Sequence, residues 1–254
     1  MTDKRKPVRA VLRAAAVIQS IGARSKGIST IAADLGVSKG TVFDIIKTLE
    51  SVDFVRQDTA SEEYVLGPAF LRLASASFSH VDVVATAARH LQELSDATGE
   101  ITHLGRRDGY STVYLHRAKS QSANRMLDLN SLLGAHSPLH CTSMGKIFLA
   151  HMSEEDFDTF TKQPLQRFTD ATICDARALH EERLKVLRQG YALNIGEYES
   201  GVSSVAVALK TTAGPVTMGI NFAMPSVRLP QAEIPRFVSS LQDTATAIER
   251  KLGQ

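Results

Sequence analysis

Residues 28–49, ISTIAADLGVSKGTVFDIIKTL, constrain the fold most, because they predict two short helices joined by a tight turn. Gly36 lies between the two helices, where a left-handed residue ends a helix at little cost. Ser29 and Ser38 are the candidate N-caps of the first and second helix. The apolar residues of the first helix recur at helical spacing: Ile31, Ala32 and Leu35. The segment is therefore predicted to be a helix-turn-helix.

The second of these helices has two different faces. Its apolar residues fall at i, i+3, i+4 and i+7, which is the spacing of a buried stripe: Val42, Ile45, Ile46 and Leu49. The opposite face is small, polar and partly basic, and consists of Lys39, Gly40, Thr41, Phe43, Asp44 and Lys47. Such a face suits the major groove of DNA. Two short helices around a glycine also occur as plain protein core, so this motif alone leaves both interpretations open.

The segments on either side of the helix-turn-helix favour DNA binding. A first helix is predicted from about Pro7 to Ile21, and its predicted buried stripe includes Val8, Val11 and Leu12. Two β-like runs, 54–57 and 63–66, enclose a polar segment with turn composition and predict a hairpin, or wing. Arg56 is the clear cation of the wing. A hairpin that only covers the helices is the alternative for any single wing residue.

Charge is distributed unevenly along the chain. Residues 1–57 contain ten basic and five acidic residues, for a net charge of +5, whereas the remainder contains 19 basic and 22 acidic residues, for −3. A basic N-terminal region on a mildly acidic body fits a phosphate-binding head attached to a separate sensor. An ordinary solvated surface is the alternative explanation.

Length and composition indicate a two-domain globular protein. The chain has 254 residues, of which 43% are hydrophobic, and no apolar run is long enough to cross a bilayer. The basic N-terminus is interpreted as an arm and not as a signal peptide. Two cysteines, Cys141 and Cys174, exclude a disulfide framework, and a cytoplasmic location is expected.

The remainder of the chain predicts a linker helix and an α+β domain. Helix 69–80 follows Gly67-Pro68, is apolar on more than one side, and is expected to pack against a second subunit. Strand-like runs alternate with helices, and Asp108-Gly109 is a strong hairpin signal. The runs are 100–106, 111–117, 126–129, 191–195, 203–210 and 216–222. The predicted domains are 1–67, the winged head; 68–81, the linker helix; and 82–254, a sensor with a central antiparallel sheet.

The chain resembles the isocitrate lyase regulator (IclR) family of bacterial transcription factors over nearly its full length. Five stretches carry the resemblance in order and spacing: VRAVLRAAAVIQSI, GVSKGTVFDIIKTLESVDFV, YVLGPAFLRLA, LHCTSMGKIFLA and GYALNIGEYESGVSSVAVAL. The resemblance implies a winged helix-turn-helix head, a linker helix and a GAF-like effector domain. It also implies dimers, or dimers of dimers, that bind palindromic promoter DNA under the control of a small metabolite.

Two departures from the family pattern affect the predicted sites. Phe43-Asp44 stands where the family often carries His-Arg, and a carboxylate there can accept from a cytosine amino group. The effector-domain positions implied by the resemblance are Ser143, Met144, Asn194, Ser204, Asn221 and Ala223. The family often has an acid at the position of Asn194, Cys at that of Ser204, and Ser at those of Asn221 and Ala223.

Other function classes leave weaker signals. His140-Cys141 invites a nucleophile hypothesis, but no Asp or Asn motif accompanies the pair, and neighbouring strand residues point to opposite faces. The histidines lack close metal-ligand spacing, and no phosphate-binding glycine loop is present. We therefore expect no catalytic residue, no metal and no cofactor. A head that binds a protein instead of DNA is a further alternative.

These observations combine into one expectation. The chain is predicted to be a sequence-specific regulator of a metabolic operon, controlled by a small organic acid or a related compound. The expected DNA contacts lie in the second helix of the motif and in the wing: Ser38, Lys39, Gly40, Thr41, Phe43, Asp44, Lys47 and Arg56. A homo-oligomer is expected, and no membrane partner.

Overall fold

The computed structural model of the chain describes residues 7–22, 24–77, 81–120, 133–210 and 215–252. The chain forms two compact units, Met1–Ser79 and His80–Gln254, called here the head and the sensor. The division falls inside the segment 68–81, and the predicted domain boundaries stay a prediction. The strand predicted at 126–129 lies outside the described residues.

The head contains a helix-turn-helix, a wing and the helix that follows it. Its elements are α1 Arg9–Gly22, α2 Ile28–Leu35, α3 Lys39–Ser51, β1 Val55–Gln57, β2 Tyr64–Leu66 and α4 Ala69–Ser77. Gly36 ends α2 with φ +61°, as predicted. Ser38 caps α3, since its Oγ accepts from the Thr41 N–H at 3.1 Å. The prediction for Ser29 is wrong: the N-cap of α2 is Gly27, and Ser29 lies inside the first turn.

The head core forms where α1, α2, α3 and the wing meet. Its fully enclosed side chains include Val17, Ile31, Val42 and Ile46. The predicted stripe of α1 is only partly right, because this core covers α1 from Ala14 onward. Three of its apolar residues are instead exposed by more than half: Val8, Val11 and Leu12.

Lys26 connects the wing to the helices in addition to the shared core. β1 and β2 pair in antiparallel fashion, and the backbone of Lys26 exchanges hydrogen bonds with that of Tyr64 in β2. The Lys26 ammonium donates to Ser20 Oγ at 3.0 Å and to Asp34 Oδ2 at 2.6 Å. The hydrogen bond from Lys26 holds the pKa of Asp34 below its ordinary value. One residue thus connects α1, α2 and the wing.

The sensor is built on one antiparallel sheet of six strands, ordered β5-β4-β3-β8-β7-β6. Its strands are β3 Ile101–Asp108, β4 Ser111–Ala118, β5 His136–Pro138, β6 Ala192–Ile195, β7 Val202–Leu209 and β8 Met218–Pro225. Its helices are α5 Val81–Thr98, α6 Ser143–Ala150, α7 Glu154–Thr161, α8 Ala176–Gln189 and α9 Ile234–Leu252. The predicted α+β class and central antiparallel sheet are confirmed. β5 was predicted as loop, and β8 begins and ends later than the predicted run 216–222.

Helices pack on both faces of this sheet. α5 and α9 cover one face around Leu91, Phe222 and Leu241. α6 covers the other face through Met144 and Phe148, and α8 packs on α6 through Leu179. Alternate residues along β6, β7 and β8 therefore belong to different cores, and the predicted effector positions of these strands lie on the α6 face.

Candidate functional site

The exposed face of α3 carries most of the predicted DNA contacts. Val42, Ile46 and Leu49 are buried, which fixes the rotation of the helix. Gly40 and Asp44 are exposed on the opposite side. Phe43, Lys39 and Lys47 are exposed as well, and Phe43 retains 46% of its accessible surface although it is aromatic. An exposed aromatic ring among polar groups is typical of a contact surface.

The first turn of α3 is held by a pair of hydroxyl groups. Ser38 Oγ and Thr41 Oγ1 lie 2.8 Å apart, and the same Ser38 Oγ accepts from the Thr41 N–H. Both hydroxyls are therefore committed to the helix end. The two hydroxyls fix the geometry of the first turn. A DNA base can contact either hydroxyl only by sharing it with this existing hydrogen bond.

Lys47 has neighbours that the sequence analysis did not consider. Its Nζ donates to Glu50 Oε2 at 2.8 Å and lies 5.6 Å from the centre of the Phe43 ring. The hydrogen bond that Lys47 donates to Glu50 raises the pKa of Lys47. The i,i+3 spacing of Lys47 and Glu50 was visible in the sequence. Arg56 is exposed on β1, in the wing.

Four of the six predicted effector positions occupy two adjacent rows on the sensor sheet. Asn194 pairs with Ser204, and Ser204 pairs with Ala223. Asn221 pairs with His103 in the next row. Paired residues of antiparallel strands present their side chains on the same face, so strands distant in sequence bring these positions together. We call them the polar rows; they comprise Asn194, Ser204, Ala223, Asn221 and His103.

Several polar groups of the rows are already hydrogen-bonded to protein. Asn194 Oδ1 accepts from the Glu197 N–H at 2.7 Å, and its Nδ2 donates to Ser204 Oγ at 3.4 Å. Asn221 Oδ1 lies 3.0 Å from His103 Nδ1, so the ring nitrogen donates when the amide oxygen accepts. Burial lowers the pKa of His103 to about 4, which makes the ring neutral near pH 7. His103 was missed by the sequence analysis.

The remaining two positions begin α6. Thr142 caps the helix by accepting from the Gly145 N–H at 3.1 Å. Met144 packs on the sheet, because a Cβ on Gly105 would lie 2.1 Å from its sulfur and one on Gly219 would lie 3.6 Å from its Cγ. Ser143 is fully buried, and its Oγ has no hydrogen-bond partner among the described residues.

A buried lysine connects α6 to the strand that carries Asn194. Lys146 Nζ donates to Glu197 Oε1 at 2.5 Å, to the Leu193 carbonyl at 2.9 Å and to Glu182 Oε1 at 3.3 Å. Burial raises the pKa of Glu197. Lys146 and Asn194 thus share Glu197 as a partner, since Lys146 binds its carboxylate and Asn194 Oδ1 accepts from its N–H. Ser143 lies three residues before Lys146 on α6. A lysine inside the apolar run SMGKIFLA was the sequence signal for this network.

His140 and Cys141 do not have the properties of a nucleophilic pair. Cys141 is buried, and burial raises the pKa of its thiol to about 12, which disfavours the thiolate. His140 Nε2 donates to the Gln166 carbonyl at 2.8 Å. Within the described ranges, no group of three His, Cys, Asp or Glu side chains is arranged to hold a metal ion. No helix in that part of the chain is long and apolar enough to span a membrane.

The head and the sensor each match a known protein family. Residues 10–59 match the IclR helix-turn-helix domain family, and residues 75–250 match the family described as bacterial transcriptional regulator IclR C-terminal. The HTH-type transcriptional regulator KdgR of Dickeya chrysanthemi is 31% identical over 248 residues, which cover 97% of this chain and 80% of that protein.

Solved structures show the same architecture. The IclR protein of Thermotoga maritima has a TM-score of 0.79 and 26% identity, covering 96% of this chain and 98% of its own. An IclR homolog from Microbacterium hydrocarbonoxydans, complexed with 4-hydroxybenzoate, has a TM-score of 0.78 at 20% identity, with coverage of 96% and 98%. The chain therefore belongs to the IclR family and is a DNA-binding transcriptional regulator.

Proposed function

We propose that this regulator places α3 in the major groove of its operator and responds to a small organic acid bound at the polar rows of the sensor. The observation that carries the ligand site is the hydroxyl of Ser143 at the N-terminus of α6, which is buried and has no hydrogen-bond partner in the described part of the chain. An unpaired buried hydroxyl is costly, and a bound ligand would satisfy it.

The exposed face of α3 supports the DNA contact. Gly40 permits close approach of the backbone, Phe43 offers an apolar edge to a thymine methyl, and Lys39 is exposed where it can reach phosphate. Ser38 and Thr41 hold the N-terminal turn in place for this approach. Lys47 and Arg56 are assigned to phosphate, with Lys47 exchanging Glu50 for DNA.

Exposed apolar residues in the head support a homo-oligomer. Val11 and Leu12 on α1, Val8 directly before it, and Leu71 and Leu73 on α4 are each more than half exposed. Apolar groups in this number at the surface of one small unit are typical of an interface. A second copy of the chain is the proposed partner, and its head would read the second half of a palindromic operator.

The ligand is inferred from the groups around Ser143. The N-terminus of α6 favours an anion, because N–H groups at the start of a helix lack partners within it. Asn194, Ser204 and Asn221 add amide and hydroxyl groups, while Met144 adds an apolar wall. A carboxylic acid with a short aliphatic or aromatic body fits this set. The 4-hydroxybenzoate held by the Microbacterium protein is an acid of that kind.

Ligand control requires two states of unequal affinity. A ligand that binds both head arrangements equally shifts nothing, so effector binding must favour one spacing of the two heads on DNA. α6 is the element through which we propose that this preference begins, since Lys146 connects it to β6 and to the loop that contains Glu197.

DNA binding is tested by gel shift and footprinting on DNA upstream of neighbouring genes. We expect protection of a palindromic site with affinity well above that for random duplex. Equal affinity for all duplexes would contradict sequence-specific regulation and favour a head that binds a protein. Turnover of a candidate acid that is lost in Cys141→Ser would instead support the enzyme alternative.

Ligand binding is tested by calorimetry with small carboxylic acids, beginning with 4-hydroxybenzoate and short aliphatic acids. Ser143→Ala, Asn194→Leu and Ser204→Val should each weaken the binding of an acid that wild type binds. Ser153→Ala, which removes the exposed cap of α7, serves as the matched control and should bind as wild type does. Unchanged affinity in all three folded pocket variants would place the site elsewhere.

A further inference from the structure

Asp44 occupies the middle of the exposed face of α3. Val42, Ile46 and Leu49 are buried, and at about 100° per residue Asp44 lies almost opposite their mean direction. Gly40 lies one turn earlier on the same side. Asp44 is the sixth residue of the helix, within the N-terminal half that contacts base edges in helix-turn-helix proteins.

Among the residues that the structure describes, no cation pairs with the carboxylate of Asp44. Within the described residues, the only hydrogen bond of Asp44 beyond the helix backbone is made by its carbonyl, which accepts from Thr48 Oγ1 at 2.9 Å. Two other acids of the head do have a cation beside them: Asp34 pairs with Lys26, and Glu50 pairs with Lys47. An unpaired negative charge on a surface that approaches phosphate weakens binding to every DNA sequence unless the carboxylate finds a donor there.

The space beside Asp44 is open. Side chains on a helix lean toward its N-terminus, so Asp44 leans over the turn that contains Gly40. A Cβ built on Gly40 would meet only Ser38 Oγ, at 3.9 Å. A base edge can therefore reach the carboxylate without displacing a side chain. We call this space the Asp44–Gly40 slot.

The chemistry of the bases selects one partner for this slot. Guanine presents two acceptors in the major groove and thymine presents an acceptor and a methyl group, so both repel or exclude a carboxylate. Adenine has an amino donor, but its neighbouring N7 is an acceptor. N7 would repel the second oxygen of the carboxylate. Cytosine presents an amino donor with no adjacent acceptor on the same base. We infer that Asp44 accepts a hydrogen bond from the N4 amino group of a cytosine in each half-site, an inference that rests on the proposed placement of α3 in the groove.

The test is selection of binding sites from randomised duplexes by the full-length protein. Wild type should select cytosine at one position of each half-site, by on the order of tenfold over other bases. Asp44→Asn should change that position to adenine, because an amide both accepts and donates. Asp44→Ala should lose the preference there. Both variants should bind random duplex more tightly than wild type, since a repelling charge is removed.

A charge-matched control separates base reading from net charge. Asp243→Asn removes an exposed carboxylate from α9 of the sensor and should leave every selected base unchanged. The inference is overturned if wild type and Asp44→Asn select the same bases throughout. It is also overturned if Asp44→Asn loses all DNA binding while unfolding at the wild-type temperature. A wild type that selects no sequence at all would defeat the proposed groove contact, and the Asp44 inference with it.

Discussion

The two candidate sites use polar residues in opposite ways. In the head, Lys39, Phe43 and Asp44 are exposed on a helix whose shape is set by buried neighbours and by the Ser38 cap. In the sensor, Asn194 and Asn221 are buried and already hydrogen-bonded to protein. The head can therefore change its contacts without loss of fold, whereas each sensor position contributes to stability and to binding together.

Removal of the Lys146 charge should have the largest effect, because it tests the buried side of this contrast. Lys146→Met leaves Glu197 buried without its cation and should lower the free energy of unfolding of the sensor by about 3–5 kcal/mol. Urea unfolding measures it. Lys185→Met is the matched control: Lys185 lies 3.5 Å from the same Glu182 but is half exposed, and its loss should cost below about 1 kcal/mol. If the two variants lost the same free energy of unfolding, burial of Lys146 would not be what makes its ion pairs important.

His103 should make the sensor sensitive to acid. Its pKa is about 4 when folded, below the ordinary 6.5, so the unfolded chain takes up the proton first as pH falls. Stability is complete above pH 6.5 and decreases between pH 6.5 and pH 4, by up to about 3 kcal/mol from this residue. The His103→Gln variant should lack this part of the decrease in the free energy of unfolding. Urea unfolding at several pH values between 6.5 and 4 measures it. His116 and His140, with pKa values also lowered by burial, should retain a smaller decrease.

Gly40 of the head and Gly145 of the sensor test the contrast between an exposed and a buried site. A Cβ on Gly145 in α6 would lie 2.3 Å from the Leu139 carbonyl oxygen, so Gly145→Ala should cost about 1–3 kcal/mol of sensor stability. Gly40 in α3 has open space, and Gly40→Ala should stabilise the head by about 0.5 kcal/mol. The same Gly40→Ala should weaken operator binding by about tenfold, or ~1.4 kcal/mol. Thermal unfolding and gel shifts measure the pair, and unchanged operator affinity would argue against close approach at Gly40.

The smallest expected effect concerns Lys47. Lys47→Ala should flatten the dependence of log affinity on log salt by about one unit, equally for specific and random DNA. Glu50→Gln should strengthen binding, because it releases the Lys47 ammonium from its 2.8 Å partner. Salt titrations of both variants show whether Lys47 contacts phosphate or stays paired with Glu50 when the protein binds DNA. An unchanged slope in Lys47→Ala would remove that residue from the interface.

The sequence predicted elements with local signals better than it predicted contacts between distant segments. Gly36, Ser38 and the periodicity of α3 depend on neighbours in the chain, and the helix-turn-helix followed from them. Lys146 meets Glu182 and Glu197, 36 and 51 residues later, and no local pattern indicates such partners. Helical periodicity identified an apolar side of α1, but periodicity does not say whether a core covers it, and Val8 and Val11 are exposed.

The placement of the predicted effector residues had a different basis. Their proximity came from the family resemblance, since Asn194, Ser204 and Asn221 are separated in the chain and nothing in their spacing indicates adjacency. The strand register then showed which of them share a row. The hydrogen bonds of Asn194 and Asn221 to protein required coordinates, because they depend on side-chain positions that the pattern of strands does not specify.

The pleat of the sensor sheet bears on how such a protein can diversify. Leu193, Val205 and Phe222 alternate with the residues of the polar rows and belong to the core under α5 and α9. A substitution in a row therefore leaves that core untouched, although it can break a hydrogen bond within the row. Under the proposed function, ligand preference can change by one side chain at a time at that cost. Lys146 and its carboxylates limit this freedom, because they tie α6 to β6 whatever ligand is bound. New specificities should arise by exchange within the rows and not by rebuilding of the fold.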